Sequence, residues 1–256
     1  WPMRWAFEKV DFEPGGKDHS TTGGSFDTGK QICQEVWDHD APTYVMYDFI
    51  TVRGVGGKMS SSKGDVITLR NVLEVYEPEV IRYLFAGTRP NREFSISFDT
   101  DVLALYEEFD RVERIYFGLE KVNEKKTEQN RVAYELSFIG EIPKTIPYQP
   151  SLRHLTTLIQ IYNFDIDKVI GYFEKELKDE HDKKRLRARA ECAKNWVQKH
   201  APEDFRFHVQ DKCQITLVDK EKEILHQLAA KLIEKEWTDK ELHEEMYILC
   251  KNNEFP

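Results

Sequence analysis

The sequence is short of the features that most quickly assign a chain to a class. It has four cysteines in 256 residues, Cys33, Cys192, Cys213 and Cys250, none in a Cys-x-x-Cys spacing and none beside a paired histidine. That pattern excludes a zinc knuckle and a disulfide framework, and it suits a reducing, cytoplasmic compartment. No residue is assigned to a metal. Apolar runs stay well below the ~20 residues of a membrane span, and there is no signal peptide, so no membrane partner is expected. Positive charge is in deficit, with 37 Lys plus Arg against 46 Asp plus Glu and a formal charge of −9. A protein that coats nucleic acid non-specifically carries a broad basic footprint. DNA is therefore not an expected partner, although a local basic patch stays open. An initiator methionine is also missing. The chain opens Trp1-Pro2-Met3-Arg4-Trp5, and we read it as a fragment whose upstream portion is absent.

What is present suffices to fold. Forty per cent hydrophobic residues, 12% of the chain aromatic, can bury real cores, and the length allows one large domain or two ordinary ones. Residues 1–98 mix strand and helix signals. Phe7, Val10 and Phe12 form an apolar stretch that stops at Pro14-Gly15-Gly16, a strand running into a tight loop. Ile32 and Val36 are spaced for a helix over 25–37. Tyr44 to Val52, rich in aromatic and β-branched residues, predicts one buried strand. Strand, helix, strand is a βαβ unit with parallel pairing. Its two loops, Pro14 to Ser20 and Arg53 to Asp65, would then emerge at one sheet edge, where open α/β folds bind ligands. Thr68 is placed to cap a helix and Pro78 to begin another, and Phe94 to Phe98 alternates as a short strand. From Asp99 onward apolar residues recur at three- and four-residue steps, a linker at Pro143, Pro147 and Pro150 apart. Thr238 with Glu241 makes a capping box. The expected architecture is an α/β, partial Rossmann-type parallel sheet over 1–98, followed by an all-α domain over 99–256.

The sharpest motif is Gly54-Val55-Gly56-Gly57-Lys58-Met59-Ser60-Ser61-Ser62-Lys63-Gly64, directly after the predicted second strand. Glycines let the backbone approach a ligand, and two lysines with three hydroxyls suit phosphate oxygens. A second stretch, Gly24-Ser25-Phe26-Asp27-Thr28-Gly29-Lys30, has the spacing of a P-loop. However, Gln31 stands where a Ser or Thr must hold magnesium, so this is a decoy.

Lys58-Met59-Ser60-Ser61-Ser62 resembles the Lys-Met-Ser-Lys-Ser signature of class I aminoacyl-tRNA synthetases. Pro78 to Phe85 is similar to the helix that follows it there. Gly16-Lys17-Asp18-His19 resembles the Gly-x-Asp-His element of the glutamyl, glutaminyl and class I lysyl enzymes. Taken with Trp1-Pro2-x-Arg4-Trp5, the wording is most similar to class I lysyl-tRNA synthetase, over about 120 residues in detail. The resemblance implies ATP with Mg2+ and lysine as substrates and a lysine-accepting tRNA as partner. It places Lys58, Met59, Ser60, Ser62, Asp18 and His19 at the ATP, with Lys58 as the cation that meets charge developing on pyrophosphate. The signature's second lysine is Ser61 here, and Lys63 is the candidate substitute. His19 and Tyr47 are assigned to the amino-acid pocket. Aromatics in a buried strand also serve as core, so Tyr44 and Tyr47 have both readings.

The family's His-x-Gly-His signature is absent and would lie upstream of Trp1. The chain by itself is therefore not expected to activate an amino acid. In the helical half, Lys183, Arg185, Arg187 and Arg189 form the strongest basic cluster and are assigned to tRNA phosphates, against the plainer reading of a solvated helix face. Trp196, Phe205, Phe207 and Trp237 offer stacking surfaces or core, and no base-reading residue is assigned. Two readings compete with the lysyl enzyme: a glutamyl-type enzyme of the same class, and a non-catalytic tRNA-binding relative.

Overall fold

The computed structural model describes residues 1–53, 67–212 and 215–253. The chain divides into two compact units, Trp1–Val209 and Gln210–Pro256.

The first unit opens with helix α1 (Pro2–Glu8), not with strand. Pro2 sits in its first turn, and Lys9 ends it in a left-handed conformation. The predicted Phe7 to Phe12 strand is thus corrected: strand β1 is Phe12–Gly16, and it takes in the Pro-Gly-Gly expected to form the loop. Helix α2 (Ser25–Trp37) crosses to strand β2 (Thr43–Tyr47), which pairs parallel with β1, Phe12 opposite Thr43 through Gly16 opposite Tyr47. The expected βαβ unit is present.

The long buried strand over 44–52 is two strands instead. Strand β3 (Ile50–Val52) leaves β2's sheet and pairs parallel with β4 (Phe94–Ile96). The break falls at Asp48. Its backbone N–H donates to Pro90 O at 2.8 Å, and its carboxylate takes the Phe49 N–H at 2.9 Å, so both groups leave the ladder. Burial was also misjudged. Val45, Met46, Tyr47, Phe49 and Ile50 are exposed.

Helices α3 (Leu69–Leu73) and α4 (Pro78–Gly87) start where expected. Thr68 and Asn71 form a capping box, and Pro78 holds the first turn of α4. Helices α5 (Asp101–Tyr116), α6 (Glu124–Ser137), α7 (Leu152–Ile161), α8 (Ile166–Tyr172) and α9 (Glu180–Lys199) complete the unit. One hydrophobic cluster runs from Val72 to Ala201 through all of these helices. Trp196 belongs to it, fully buried, with its indole N–H on Phe98 O at 2.9 Å. The β1–β2 layer has its own small core around Trp5 and Cys33.

The second unit is a helical hairpin, α10 (Asp219–Glu234) and α11 (Asp239–Asn252). Thr238 and Glu241 make the expected capping box at its second helix. Together these elements form partial Rossmann-type parallel strands followed by a largely helical region. No helix among the described residues is long and apolar enough to cross a membrane.

Candidate active site at the sheet edge

The site begins with a turn. Past Gly16 the chain makes a short 3-10 turn, Lys17–His19, closed by Ser20 N–H on Lys17 O at 3.0 Å. Ser20 Oγ donates back to Gly16 O and lies 2.8 Å from Tyr44 Oη, tying the turn to β2. Gly15 is required here. A Cβ on it would come within 1.9 Å of the Tyr44 hydroxyl and 2.3 Å of its ring. The Tyr44 ring cannot easily yield, since it stacks on Phe26 at 3.8 Å.

Behind that pair the opening aromatics form a buttress. Trp5 meets Phe26 edge-on at 5.7 Å and donates its indole N–H to Glu13, which also pairs with Arg4. Trp1 meets the His19 ring at 5.3 Å. The sequence alone could not give this reason for Trp-Pro-x-Arg-Trp: it carries the turn. The decoy P-loop finds its purpose in the same place, because Gly29 lies where a Cβ would sit 3.1 Å from the Trp5 ring, and Lys30 pairs with Asp27.

At the C-terminal ends of β1 and β2 a cavity of about 270 Å3 is lined by Gly16, Asp18, His19, Tyr47, Asp48, Phe49 and Ile50. The structure therefore brings together three residues assigned from sequence, Asp18, His19 and Tyr47. Tyr47 is half exposed, so its core reading falls away. His19 Nδ1 lies 3.3 Å from Ser25 Oγ. Asp48 escaped the sequence reading. A lone acid breaking an aromatic, β-branched run is the signal that could have found it. The Phe49 N–H and then the Lys17 ammonium hold its carboxyl below the usual carboxylate range. Lys58, Met59, Ser60, Ser62 and Lys63 lie outside the described residues.

The basic cluster on α9 splits in two. Lys183 and Arg187 are exposed, and Arg187 reaches Asp167 at 2.5 Å. Arg189 is fully buried. Its Nε donates to Glu77 at 2.6 Å, its Nη1 to Asp110 at 2.8 Å and to Pro150 O at 3.1 Å, and its guanidinium lies 5.0 Å from the Tyr106 ring centre. Arg185 is nearly buried and donates to Glu113 at 2.8 Å, a carboxylate that also accepts from Tyr134 and Gln149. Arg185 and Arg189 are thus corrected from a phosphate-facing set to a core ion network. Each pairs there because an unpaired buried charge is far costlier than a paired one.

The stacking candidates divide likewise. Trp196 is core and Phe205 packs on it at 5.0 Å, whereas Phe207 is exposed. Trp237 bonds Lys231 O and lies 4.3 Å under the Lys235 ammonium.

Among the described residues one group, Asp179, His181 and Asp182, brings three possible metal-binding atoms within 4.8 Å of one another. Its carboxylates are already engaged. Asp179 takes the Asp182 N–H at 2.9 Å, and Asp182 takes those of Tyr148 and Lys178 at 2.7 and 3.1 Å. These bonds start α9.

Parallel strands with a Gly-x-Asp-His turn at their C-terminal edge, running into helices, fit a class I aminoacyl-tRNA synthetase. Residues 1–139 match the family model described as tRNA synthetases class I (K), and the chain belongs to that family. It is 51% identical to a lysine–tRNA ligase of Borreliella burgdorferi over 83% of the chain and 40% of the relative. Lysine–tRNA ligases of Treponema pallidum and Thermococcus kodakarensis are 43% and 46% identical, over 98% and 83% of the chain and 48% and 41% of their own lengths. The chain spans about half the length of the curated relatives it matches.

Proposed function

We propose that the chain supplies the ATP-loop side of the catalytic site and the tRNA-facing helices of an enzyme that joins lysine to its tRNA. The observation that carries this reading is the Lys17–His19 turn at the C-terminal edge of β1 and β2, inside the stretch that matches the family. The division of labour follows the sequence, with catalysis on 1–98 and tRNA recognition on 99–256.

In this reading the lysine carboxylate attacks the α-phosphate of ATP. A phosphorus–oxygen bond forms to the carboxylate, the α–β bridge breaks, and pyrophosphate leaves; bound Mg2+ would supply charge neutralisation to the phosphates. A terminal ribose hydroxyl of the tRNA then attacks the acyl carbon, and AMP departs. Lys58, aided by Lys63, meets the negative charge gathering on pyrophosphate, the kind of fixed cation that accelerates such steps. Met59, Ser60 and Ser62 complete the loop over ATP. Asp18 and His19 border the nucleotide and the amino acid, and Tyr47 flanks the alkyl stem of lysine. Lys183 and Arg187 face tRNA phosphates.

The test is ATP–pyrophosphate exchange by a ligase of the relatives' full length containing this chain, with each amino acid in turn. Lysine-dependent exchange that falls by about 10²-fold or more in Lys58→Ala is the expected result. Exchange with glutamate alone would assign the glutamyl enzyme. No exchange with any amino acid would leave a non-catalytic tRNA-binding relative.

A further inference from the structure

Asp48 is the first residue past β2, level with the end of β1, and it shares the cavity with Asp18, His19 and Tyr47. Its carboxylate is fixed and largely covered. The side chain is 10% exposed, one oxygen takes the Phe49 N–H at 2.9 Å, and the backbone N–H is held by Pro90 O. Facing it is Lys17, with Nζ at 3.2 and 3.5 Å from the two oxygens and a side chain 54% exposed. The asymmetry is the informative point: the anion is built in, while the cation reaches it from solvent on an exposed stem. An ion pair whose cation is half exposed adds little to stability. An ammonium on an aliphatic stem is also what a lysine side chain presents.

We propose that Asp48 receives the side-chain ammonium of the amino-acid substrate, and that Lys17 occupies this carboxylate until the substrate displaces it. The assignment rests on the reading that the site activates lysine. It supplies the anion that such a pocket needs and that the resemblance did not identify. The Tyr47 ring lines the same cavity, beside the path of the alkyl stem. Asp48 is a specificity residue. It touches no reacting atom, so it sets the affinity for lysine and leaves the phosphoryl chemistry alone.

The experiment is pyrophosphate exchange by the full-length ligase that contains this chain, with KM for lysine and for ATP measured separately. Asp48→Asn keeps the shape and the acceptor for the Phe49 N–H. It is expected to raise the lysine KM by about 10²-fold, as loss of one partner of a desolvated charge pair does, with the ATP KM unchanged. Lys17→Met removes the internal occupant at an exposed position and is expected to lower the lysine KM several-fold. A lysine KM that Asp48→Asn leaves within about threefold of wild type overturns the proposal, as does a change in the ATP KM instead. Should Asp48→Asn fail to fold, Lys17→Met decides, since an unchanged or raised lysine KM there removes the displacement. Wild-type enzyme without lysine-dependent exchange would remove the lysine reading and this assignment together. Normal lysine exchange with an indifferent Asp48→Asn removes the assignment alone.

Discussion

The strand layer at the start of the chain and the helices behind it treat charge and aromatic surface in opposite ways. Around β1 and β2 the carboxylates of Asp18 and Asp48 stand at strand ends beside a cavity, and Val45, Met46 and Tyr47 are open to solvent. Among the helices, Glu77, Asp110, Glu113 and Arg189 are buried and joined to one another or to Arg185, with Tyr106 against Arg189 and Tyr134 on Glu113. The difference teaches how to weigh a charged residue. At the end of a parallel strand, beside a cavity, a charge is placed to meet a ligand. Held among helices by opposite charges, it serves the fold, even where Arg189 Nη2 and Asp110 Oδ1 are left without a hydrogen bond. The helical network joins α4, which follows the signature loop in sequence, to α5, α9 and the Pro150 linker.

The comparison breaks most sharply at Arg189. Replacing it with Met leaves Glu77 and Asp110 buried with only Arg185, at 3.8 and 3.9 Å, and the first unit is expected to lose about 3–5 kcal/mol. Urea unfolding of the chain measures this. Asp110 sharpens the expectation, because burial already drives its carboxyl above the usual range against the pull of Arg189 and Arg185. A loss below about 1 kcal/mol would show that the network is open to water and would undo the contrast between the two regions.

At the sheet edge the corresponding lesion acts on geometry. Gly15→Ala puts a methyl where the Tyr44 ring lies, so Tyr44 must leave its stack on Phe26 and release Ser20. The expected loss of stability is about 1–3 kcal/mol. Lysine-dependent exchange should fall further, by about 10²-fold, because displacing a positioned group by ~1 Å suffices for that. Equal losses in stability and activity would mean that the turn is merely structural.

Much of this was legible in the sequence, and the failures have physical causes. The βαβ pairing, α2, the caps at Thr68 and Thr238 and the start at Pro78 were all local signals, carried by periodicity, hydroxyls and proline. Three of the assigned site residues, Asp18, His19 and Tyr47, do meet in one cavity. The single strand over 44–52 failed because composition cannot see that Asp48 turns its hydrogen bonds to Phe49 and Pro90. Arg185 and Arg189 were misread because a helical run of cations looks alike from every side. Only the fold reveals that Glu77 and Asp110, 112 and 79 residues away from Arg189, wait on its inner face. Long-range partners of this kind leave no trace in local spacing.

The same helix offers the finest test of the contrast, since Arg187 and Arg189 lie two residues apart and fall on opposite sides of the boundary between surface and core. Lys183 and Arg187 are exposed, and their removal exposes no buried partner. The double replacement Lys183→Ala with Arg187→Ala should therefore leave the unfolding midpoint of the chain unchanged. If this face meets tRNA, the double variant weakens binding of lysine-accepting tRNA to the full-length ligase. The salt dependence decides the origin of that loss, because each phosphate contact removed lowers the slope of log K against log salt by about 1. Weaker binding with a flatter slope assigns the exposed cations to phosphates. Unchanged binding with an unchanged slope returns them to the plainer role of a solvated helix face, and the tRNA must then be held elsewhere on the helices.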